Sequence, residues 1–326
     1  MAVETVGTPA LWLGFTAFIL ALLALDLGVF HRKAHTVGYR EALGWSAIWV
    51  GLALAFNLLV YHWFGSERAL EFLTGYLIEK ALSVDNIFVF LMVFSYFAVP
   101  SAFQHRVLFW GILGALLMRA AFIVAGAALL QRFHWIIYVF GAFLVLTGIR
   151  LLSGSGSEVH PERNPVYRLF RRFVPAVDRY HGAAFTVVEN GRRFATPLLL
   201  VVVVLEATDL VFALDSIPAI FAVTTDPFIV YTSNVFAILG LRALYFLLAG
   251  ALDQFRYLKV GLGLVLCFVG AKMALSDVLH VPIVASLAVV ALLLAGSVAA
   301  SLAWPASRPH VPAETARLGE EPSDAR

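Results

Sequence analysis

Charge and cysteine are both scarce in this chain of 326 residues. Charged residues make up 13% of it and hydrophobic residues 61%, whereas a soluble domain is about one quarter charged and one half apolar. The single cysteine, Cys267, excludes an intramolecular disulfide and a thiolate-ligated cluster. None of the nine histidines lies in the middle of an apolar span, which argues against a haem held between membrane helices. The composition predicts an all-α polytopic membrane protein with no prosthetic group and no nucleic-acid partner.

About nine apolar spans are long enough to cross a bilayer core of roughly 30 Å. They lie near 10–30, 42–64, 70–97, 107–130, 134–152, 196–222, 228–251, 257–276 and 280–303. Residues 1–303 therefore form one predicted transmembrane domain, interrupted by a polar, Arg-rich loop at 153–195. The tail at 304–326 carries Pro, Glu and Ser and is predicted to be disordered.

Basic residues are concentrated in alternate loops. The loops after spans 1, 3, 5 and 7 hold Arg32, Lys33, Arg40, Arg106, Arg163, Arg168, Arg171, Arg172, Arg179, Arg192, Arg193, Arg256 and Lys259. The loops after the other spans hold only Arg68 and Arg132. Because loops rich in Lys and Arg stay in the cytoplasm, we expect a protein of the inner membrane with its N-terminus outside and its C-terminus inside.

Two stretches of three spans resemble each other, 70–152 (spans 3–5) and 196–276 (spans 6–8). The matched positions are Glu79 with Asp209, Asp85 with Asp215, Asn86 with Ser216, Arg119 with Arg242, Gly141 with Gly263, and Gly148 with Gly270. Since three is odd, the second copy must cross the membrane in the opposite direction. Inverted repeats are typical of secondary transporters, whose site lies at the repeat interface near the middle of the membrane. The matched glycines are expected to permit close helix packing.

Each repeat begins with carboxylates inside an apolar span, where an ionised carboxylate costs at least ~2.5–3.5 kcal/mol. These carboxylates are Glu79, Asp85, Glu206, Asp209 and Asp215, and the bases within the spans are Lys80, Arg119 and Arg242. If all ionise, the excess of two negative charges matches one divalent cation. With the neighbouring oxygens of Asn86 and Ser216, the set favours a hard ion such as Mg²⁺, Ca²⁺ or Mn²⁺. Structural ion pairs between helices are the alternative interpretation, above all for Glu206 and the two arginines.

Helical periodicity does not direct all of these groups to one point. The groups that share a face are Glu79 with Asn86, and Glu206 with Asp209 and Ser216. Asp85 and Asp215 are displaced from those faces, so either two helices approach the site from different angles or each helix is broken. Pro218 favours a break in the second repeat, because it removes a backbone hydrogen bond and leaves the carbonyl of Leu214 available to a cation.

The chain resembles the TerC/Alx family of integral membrane proteins, within the LysE-like exporters. The similarity rests on three motifs, Asp26-Leu-Gly-Val-Phe-His-Arg-Lys33, Glu79-Lys-Ala-Leu-Ser-Val-Asp-Asn86 and Glu206-Ala-Thr-Asp-Leu-Val-Phe-Ala-Leu-Asp-Ser-Ile-Pro218, and extends over about residues 10–303. It implies Mn²⁺ as the substrate ion and the acids within the membrane as its ligands. Asp85 and Asp215 would be core ligands beside Asn86 and Ser216. Glu79, Asp209 and Glu206 would complete the shell or carry protons, and Lys80, Arg119 and Arg242 would balance the charge.

We therefore expect a secondary transporter, not an enzyme, that exports Mn²⁺ through the lipid bilayer, with protons as the counter-ion. No ATP-binding motif is present in the sequence, so an ion gradient would supply the energy. Two alternatives stay open. One is a membrane enzyme or redox modulator that uses the buried acids as acid–base groups. The other is a stress-response protein that confers tellurite resistance through partners and moves no metal.

Overall fold

The computed structural model describes residues 5–25, 38–133, 135–153, 169–170, 172–177, 179–189, 191–248, 257–278 and 281–304. The helices are α1 (Pro9–Leu25), α2 (Tyr39–Tyr96), α3 (Ser101–Arg132), α4 (Ile136–Leu152), α5 (Pro197–Phe221), α6 (Pro227–Leu239), α7 (Leu241–Leu248), α8 (Leu258–Ala274) and α9 (Ile283–Ala303). A hairpin of β1 (Thr186–Glu189) and β2 (Arg192–Ala195) precedes α5. The motif at 26–33, most of the predicted loop and the tail from residue 305 lie outside the described residues.

The helices have the length and composition of an integral membrane protein. Five helical stretches within the described residues are long and apolar enough to cross a membrane: α2, α3, α5, α6 together with α7, and α9. Two shorter apolar helices cover Pro9–Ala24 and Ile136–Leu152. The prediction of a helical, multi-pass membrane protein is confirmed at this level.

Helix α2 contains both the second and the third predicted spans. Its backbone leaves helical geometry only at Gly65, where φ is 87° and ψ is 179°. A positive φ of this size is readily adopted only by glycine, so Gly65 lets the chain turn between two helical limbs. The limb that follows Gly65 carries Glu79, Ser83 and Asn86 towards the centre of the molecule.

The predicted break near Pro218 is wrong. Helix α5 continues from Pro197 to Phe221 with Pro218 inside it, and α2 likewise continues through Asp85. Pro218 lies in the last turn of α5, where the loss of one backbone hydrogen bond does not interrupt the turns before it. The continuous limb of α2 after Gly65 and the continuous helix α5 therefore bring the polar groups together.

Helices α4 and α8 cross with their backbones in contact. A Cβ atom on Gly141 would lie 2.8 Å from the carbonyl oxygen of Gly270, and one on Gly148 would lie 2.7 Å from that of Gly263. Only a residue without a side chain permits this approach, as is common where membrane helices pack closely. The close packing expected of these glycines is thus seen.

The segment before α5 packs on the ends of α2 and α3. The Tyr180 hydroxyl donates to the carbonyl of Phe97, which caps α2, at 2.6 Å. The Arg106 guanidinium lies 4.9 Å from the centre of the Phe185 ring, within cation–π distance. These contacts attach the hairpin region to the C-terminal end of α2 and the first turns of α3.

Candidate functional site

Arg119 lies at the centre of a buried polar ring. Its side chain, on α3, is only 1% exposed and pairs with Glu79 of α2 and Asp209 of α5, both of which are buried. Nη1 donates to Glu79 Oε1, while Nη2 and Nε donate to the two oxygens of Asp209 at 3.2 and 3.4 Å. The planar guanidinium suits this arrangement because its donors diverge in one plane and can serve two carboxylates at once.

Three uncharged side chains complete the ring. Asn86 donates to Asp209 Oδ1 at 3.4 Å, and Asn234 of α6 donates to Glu79 Oε2 at 3.1 Å. Arg119 Nη1 also faces Ser216 Oγ at 3.2 Å and Asn234 Oδ1 at 3.4 Å. The ring of Glu79, Asn86, Arg119, Asp209, Ser216 and Asn234 thus joins four helices through their polar groups.

Asn234 was missed from the sequence. It lies in an apolar span, but no matched position in the first repeat draws attention to it, and a lone Asn in a membrane helix commonly makes a structural hydrogen bond. The signal that could have found it is an amide side chain inside the predicted span 228–251, which the structure shows to be buried in α6.

Several oxygen atoms beside the ring lack a partner. Ser83 Oγ, Asn86 Oδ1 and Glu206 Oε2 are buried, and none has a hydrogen-bond partner among the described residues. Glu206 lies one turn before Asp209 on α5 and packs against α3 at Gly114, where a Cβ would collide with its carboxylate. Buried polar atoms are normally satisfied by protein or ordered water, so these oxygens are open to a water, a proton donor or a cation.

Asp215 points away from the ring. Its carboxylate is half-buried and accepts a hydrogen bond from Thr147 Oγ1 of α4 at 3.1 Å, whereas the next residue, Ser216, faces Arg119. The displacement predicted from helical phase is therefore present at this position. The side chain of Asp85 lies outside what the structure describes.

The other predicted bases are not part of the ring as described. Lys80 donates to the carbonyl of Ala237 at 3.2 Å. That carbonyl lies in the last turn of α6, where the helix dipole favours a positive charge. Arg242 is buried near the start of α7.

Among the described residues, no group of three or more His, Cys, Asp or Glu side chains is arranged to hold a metal ion. Instead of gathering around one point, the predicted ligands divide. Glu79, Asn86, Asp209 and Ser216 surround the Arg119 guanidinium, Glu206 lies beside them, and Asp215 faces α4. The ligand set from the sequence stays a prediction.

Comparison with known proteins gives consistent matches over most of the chain. The model of the TerC family of integral membrane proteins matches residues 64–309. An uncharacterized membrane protein of Myxococcus xanthus is 60% identical over 298 residues, which cover 91% of this chain and 93% of that protein. No solved structure is significantly similar to the chain.

Two further relatives extend the comparison. A protein of Escherichia coli K12, named as a candidate membrane-bound redox modulator, Alx, is 49% identical over 297 residues, which cover 88% of this chain and 92% of that protein. An uncharacterized membrane protein of Rickettsia bellii is 40% identical over 286 residues, which cover 87% of this chain and 95% of that protein.

Proposed function

The chain belongs to the TerC family of integral membrane proteins, and from this premise we propose that it is a secondary transporter that exports Mn²⁺ across the inner membrane in exchange for protons. The observation that carries the proposal is the buried ring in which Arg119 lies between Glu79 and Asp209. Three charges buried inside an apolar bundle are costly, and such groups are typical of ion pathways. The proposed orientation has the N-terminus outside and the C-terminus inside.

The proposed architecture is a pair of inverted repeats within about nine spans. The second limb of α2 with α3 and α4 corresponds to α5 with α6–α7 and α8. Contacts between the repeats support it: Asn86 of the first repeat donates to Asp209 of the second, and Arg119 of the first donates to Ser216 Oγ of the second. Since Asn86 and Ser216 are matched positions, each repeat contacts the other through the same position.

The glycine crossing has the same reciprocity. The earlier glycine of α4, Gly141, contacts the later glycine of α8, Gly270, and Gly148 contacts Gly263. Two equivalent helices related by a two-fold axis in the membrane plane make this pattern, because each element meets its counterpart running the opposite way. Both sets of contacts support a two-fold axis that passes between α2 and α5 and between α4 and α8.

In this proposal the guanidinium of Arg119 holds the place of the substrate cation. A divalent ion that enters the ring competes with Arg119 for Glu79 and Asp209, and the unpartnered oxygens of Asn86 and Glu206 are available to it. An oxygen-only set suits a hard ion, and the family resemblance favours Mn²⁺ among such ions. A cation and a proton compete for the same carboxylates, which provides a route to exchange.

Asp85 and Asp215 remain in the proposed ligand set. For Asp215 this requires the carboxylate to leave Thr147 and turn towards the face of α5 on which the next residue, Ser216, contacts Arg119. The proposal therefore includes two arrangements of the site, one with Arg119 between the acids, as described, and one with the ion there.

Flux into liposomes tests the function. Purified protein should move Mn²⁺ faster than Mg²⁺ or Ca²⁺, and a pH gradient should change the rate. Glu79→Gln and Asp209→Asn should each reduce the rate to that of empty liposomes, whereas the control Glu189→Gln, on the exposed hairpin, should transport like wild type. If Glu79→Gln and Asp209→Asn both transport normally, the proposal is wrong.

The same assay separates the ligands. Asp85→Ala and Asp215→Ala should also lose transport if these residues hold the ion. Wild-type flux in both variants, with the other two inactive, would remove Asp85 and Asp215 from the site but leave the transporter.

A second candidate function comes from the name of the Escherichia coli relative, a membrane-bound redox modulator. In that case the protein would act through partners, and tellurite resistance would be one outcome. Liposomes that move none of the ions tested, together with tellurite resistance or a redox phenotype that still depends on the chain, would favour this alternative.

A further inference from the structure

A cavity of about 520 Å³ lies at the end of the bundle that the distribution of basic residues assigns to the outside. Its walls come from α2 just after the bend at Gly65, from the segment that follows α5, and from the facing ends of α8 and α9. The residues that line it include Arg68, Glu71, Phe221, Thr224, Thr225 and Lys272. None of these is in the buried ring.

The wall of the cavity carries charges of both signs. Glu71 is 8% exposed and accepts hydrogen bonds from Arg68 Nη1 and Thr224 Oγ1, both at 2.8 Å. The ammonium-bearing side chain of Lys272 lines the same space and is half-buried. The exposed Glu67 also lines the cavity, so its wall has two carboxylates and two cations. A wall balanced in this way accepts hydrated ions without holding a divalent cation tightly.

The inner boundary of the cavity is apolar. Phe221 lines the cavity, yet its side chain is only 2% exposed. Its ring rests on the backbone of α3 at Gly126, where a Cβ would lie 2.8 Å from Cε2. Phe221 belongs to one buried hydrophobic cluster with Ile78, Ile217 and Ile220.

This apolar layer separates the cavity from the ring. Phe221 follows Ser216 by five residues on α5, which is about 7–8 Å along the helix at 1.5 Å per residue. Glu71 precedes Glu79 by eight residues on α2, or about 12 Å. At the level between Glu71 and Glu79, a Cβ on Gly75 of α2 would lie 3.3 Å from Ile220 of α5 and 2.9 Å from Ser233 of α6. Helix α2 therefore packs closely against both helices here.

We propose that this cavity is the outer vestibule of the ion path and that Phe221 is its closed gate. In the described arrangement, water and ions reach Glu71 and Lys272 but stop at the Phe221 ring, and the Arg119 ring is sealed from the outside. Movement of the Phe221 side chain away from Gly126 opens the path. The proposal rests on the proposed function for the ion and its direction, but the gate itself is a matter of access.

Cysteine labelling tests access directly. In a Cys267→Ser background, Ser216→Cys reports on the ring, and Thr225→Cys, which is exposed and lines the cavity, is the matched control. With Phe221 intact, an impermeant thiol reagent added outside should label Thr225→Cys at least ten times faster than Ser216→Cys. Phe221→Ala should raise the rate at Ser216→Cys at least tenfold and leave Thr225→Cys unchanged.

Gly126→Ala provides an independent test, because the added methyl group displaces the Phe221 side chain without removing it. It should also raise the labelling of Ser216→Cys. If Phe221→Ala alters the labelling of Thr225→Cys or the elution of the purified protein, Phe221→Leu replaces it, with a smaller rise expected.

Three outcomes overturn the proposal: equal labelling of both cysteines with Phe221 intact, no labelling of Thr225→Cys from outside, or no rise at Ser216→Cys in either the Phe221 or the Gly126 variant. A normal labelling pattern with no metal flux would count against the proposed function and leave the gate standing.

Discussion

Arg119→Met removes the guanidinium from the centre of the buried ring and keeps an unbranched side chain in its place. Glu79 and Asp209 are then left buried without the cation that both of them contact. Removal of one partner from a buried ion pair costs about 3–5 kcal/mol, because the remaining charge is uncompensated. Two carboxylates lose their partner here, so we expect a loss at the upper end of that range.

Equilibrium unfolding of the purified protein in mixed micelles with increasing SDS measures this loss. Arg132→Met is the matched control, since Arg132 is in the same helix but at its exposed end, and it should change the free energy of unfolding by less than about 0.5 kcal/mol. The triple variant with Glu79→Gln and Asp209→Asn has no charge left in the ring. It should recover most of the loss, because replacing a whole buried ionic group is often close to neutral.

Binding of Mn²⁺ should stabilise Arg119→Met more than wild type. With Arg119 gone, the two carboxylates are available to Mn²⁺, and saturation at about 100 times Kd would add about 2.7 kcal/mol to the stability of Arg119→Met. Wild type should gain less, because the ion has to displace the guanidinium first. Wild-type stability in Arg119→Met, or a triple variant as unstable as the single one, would refute the reasoning.

Two further predictions concern packing. Gly148→Ala places a methyl group 2.6 Å from Cys267 Sγ and 2.7 Å from the Gly263 carbonyl, and it should lower the free energy of unfolding by about 1–3 kcal/mol. The control Gly296→Ala, with nothing within 4 Å, should not lower it, and similar values for the two variants would contradict the close crossing of α4 and α8. Tyr180→Phe removes the hydrogen bond to the α2 cap and should cost about 0.5–1.5 kcal/mol and speed proteolysis of the hairpin region, and unchanged proteolysis would argue against that attachment.

Helical phase was the most informative part of the sequence. A spacing of 100° per residue put Glu79 with Asn86 and put Asp209 with Ser216, and the structure places all four around Arg119. The same spacing displaced Asp215, which indeed faces α4. Helical phase succeeds here because α5 and the limb of α2 after Gly65 are continuous, so residues on one face remain neighbours.

Features that depend on where a helix ends, on its packing against another helix or on backbone angles were not predictable from helical phase. The effect of Pro218 depends on where α5 ends, and an end at Phe221 puts the proline in the last turn, where it breaks nothing. Asn234 enters the ring only because α6 packs beside α2, and that packing has no counterpart in the local pattern. The sharp turn between the two limbs of α2 depends on the backbone angles of Gly65, which the presence of a glycine permits but does not require.

The two glycine contacts between α4 and α8 limit how the molecule can change shape. Two rods that touch at two separated points, backbone against backbone, have no side chains between them that could rotate to take up a displacement. A change of tilt would press carbonyl oxygens into carbons at one point and open a gap at the other. We therefore expect α4 and α8 to move together as one unit. A motion that exposes the Arg119 ring would then occur among α2, α3, α5 and α6, including the contact of Phe221 with Gly126.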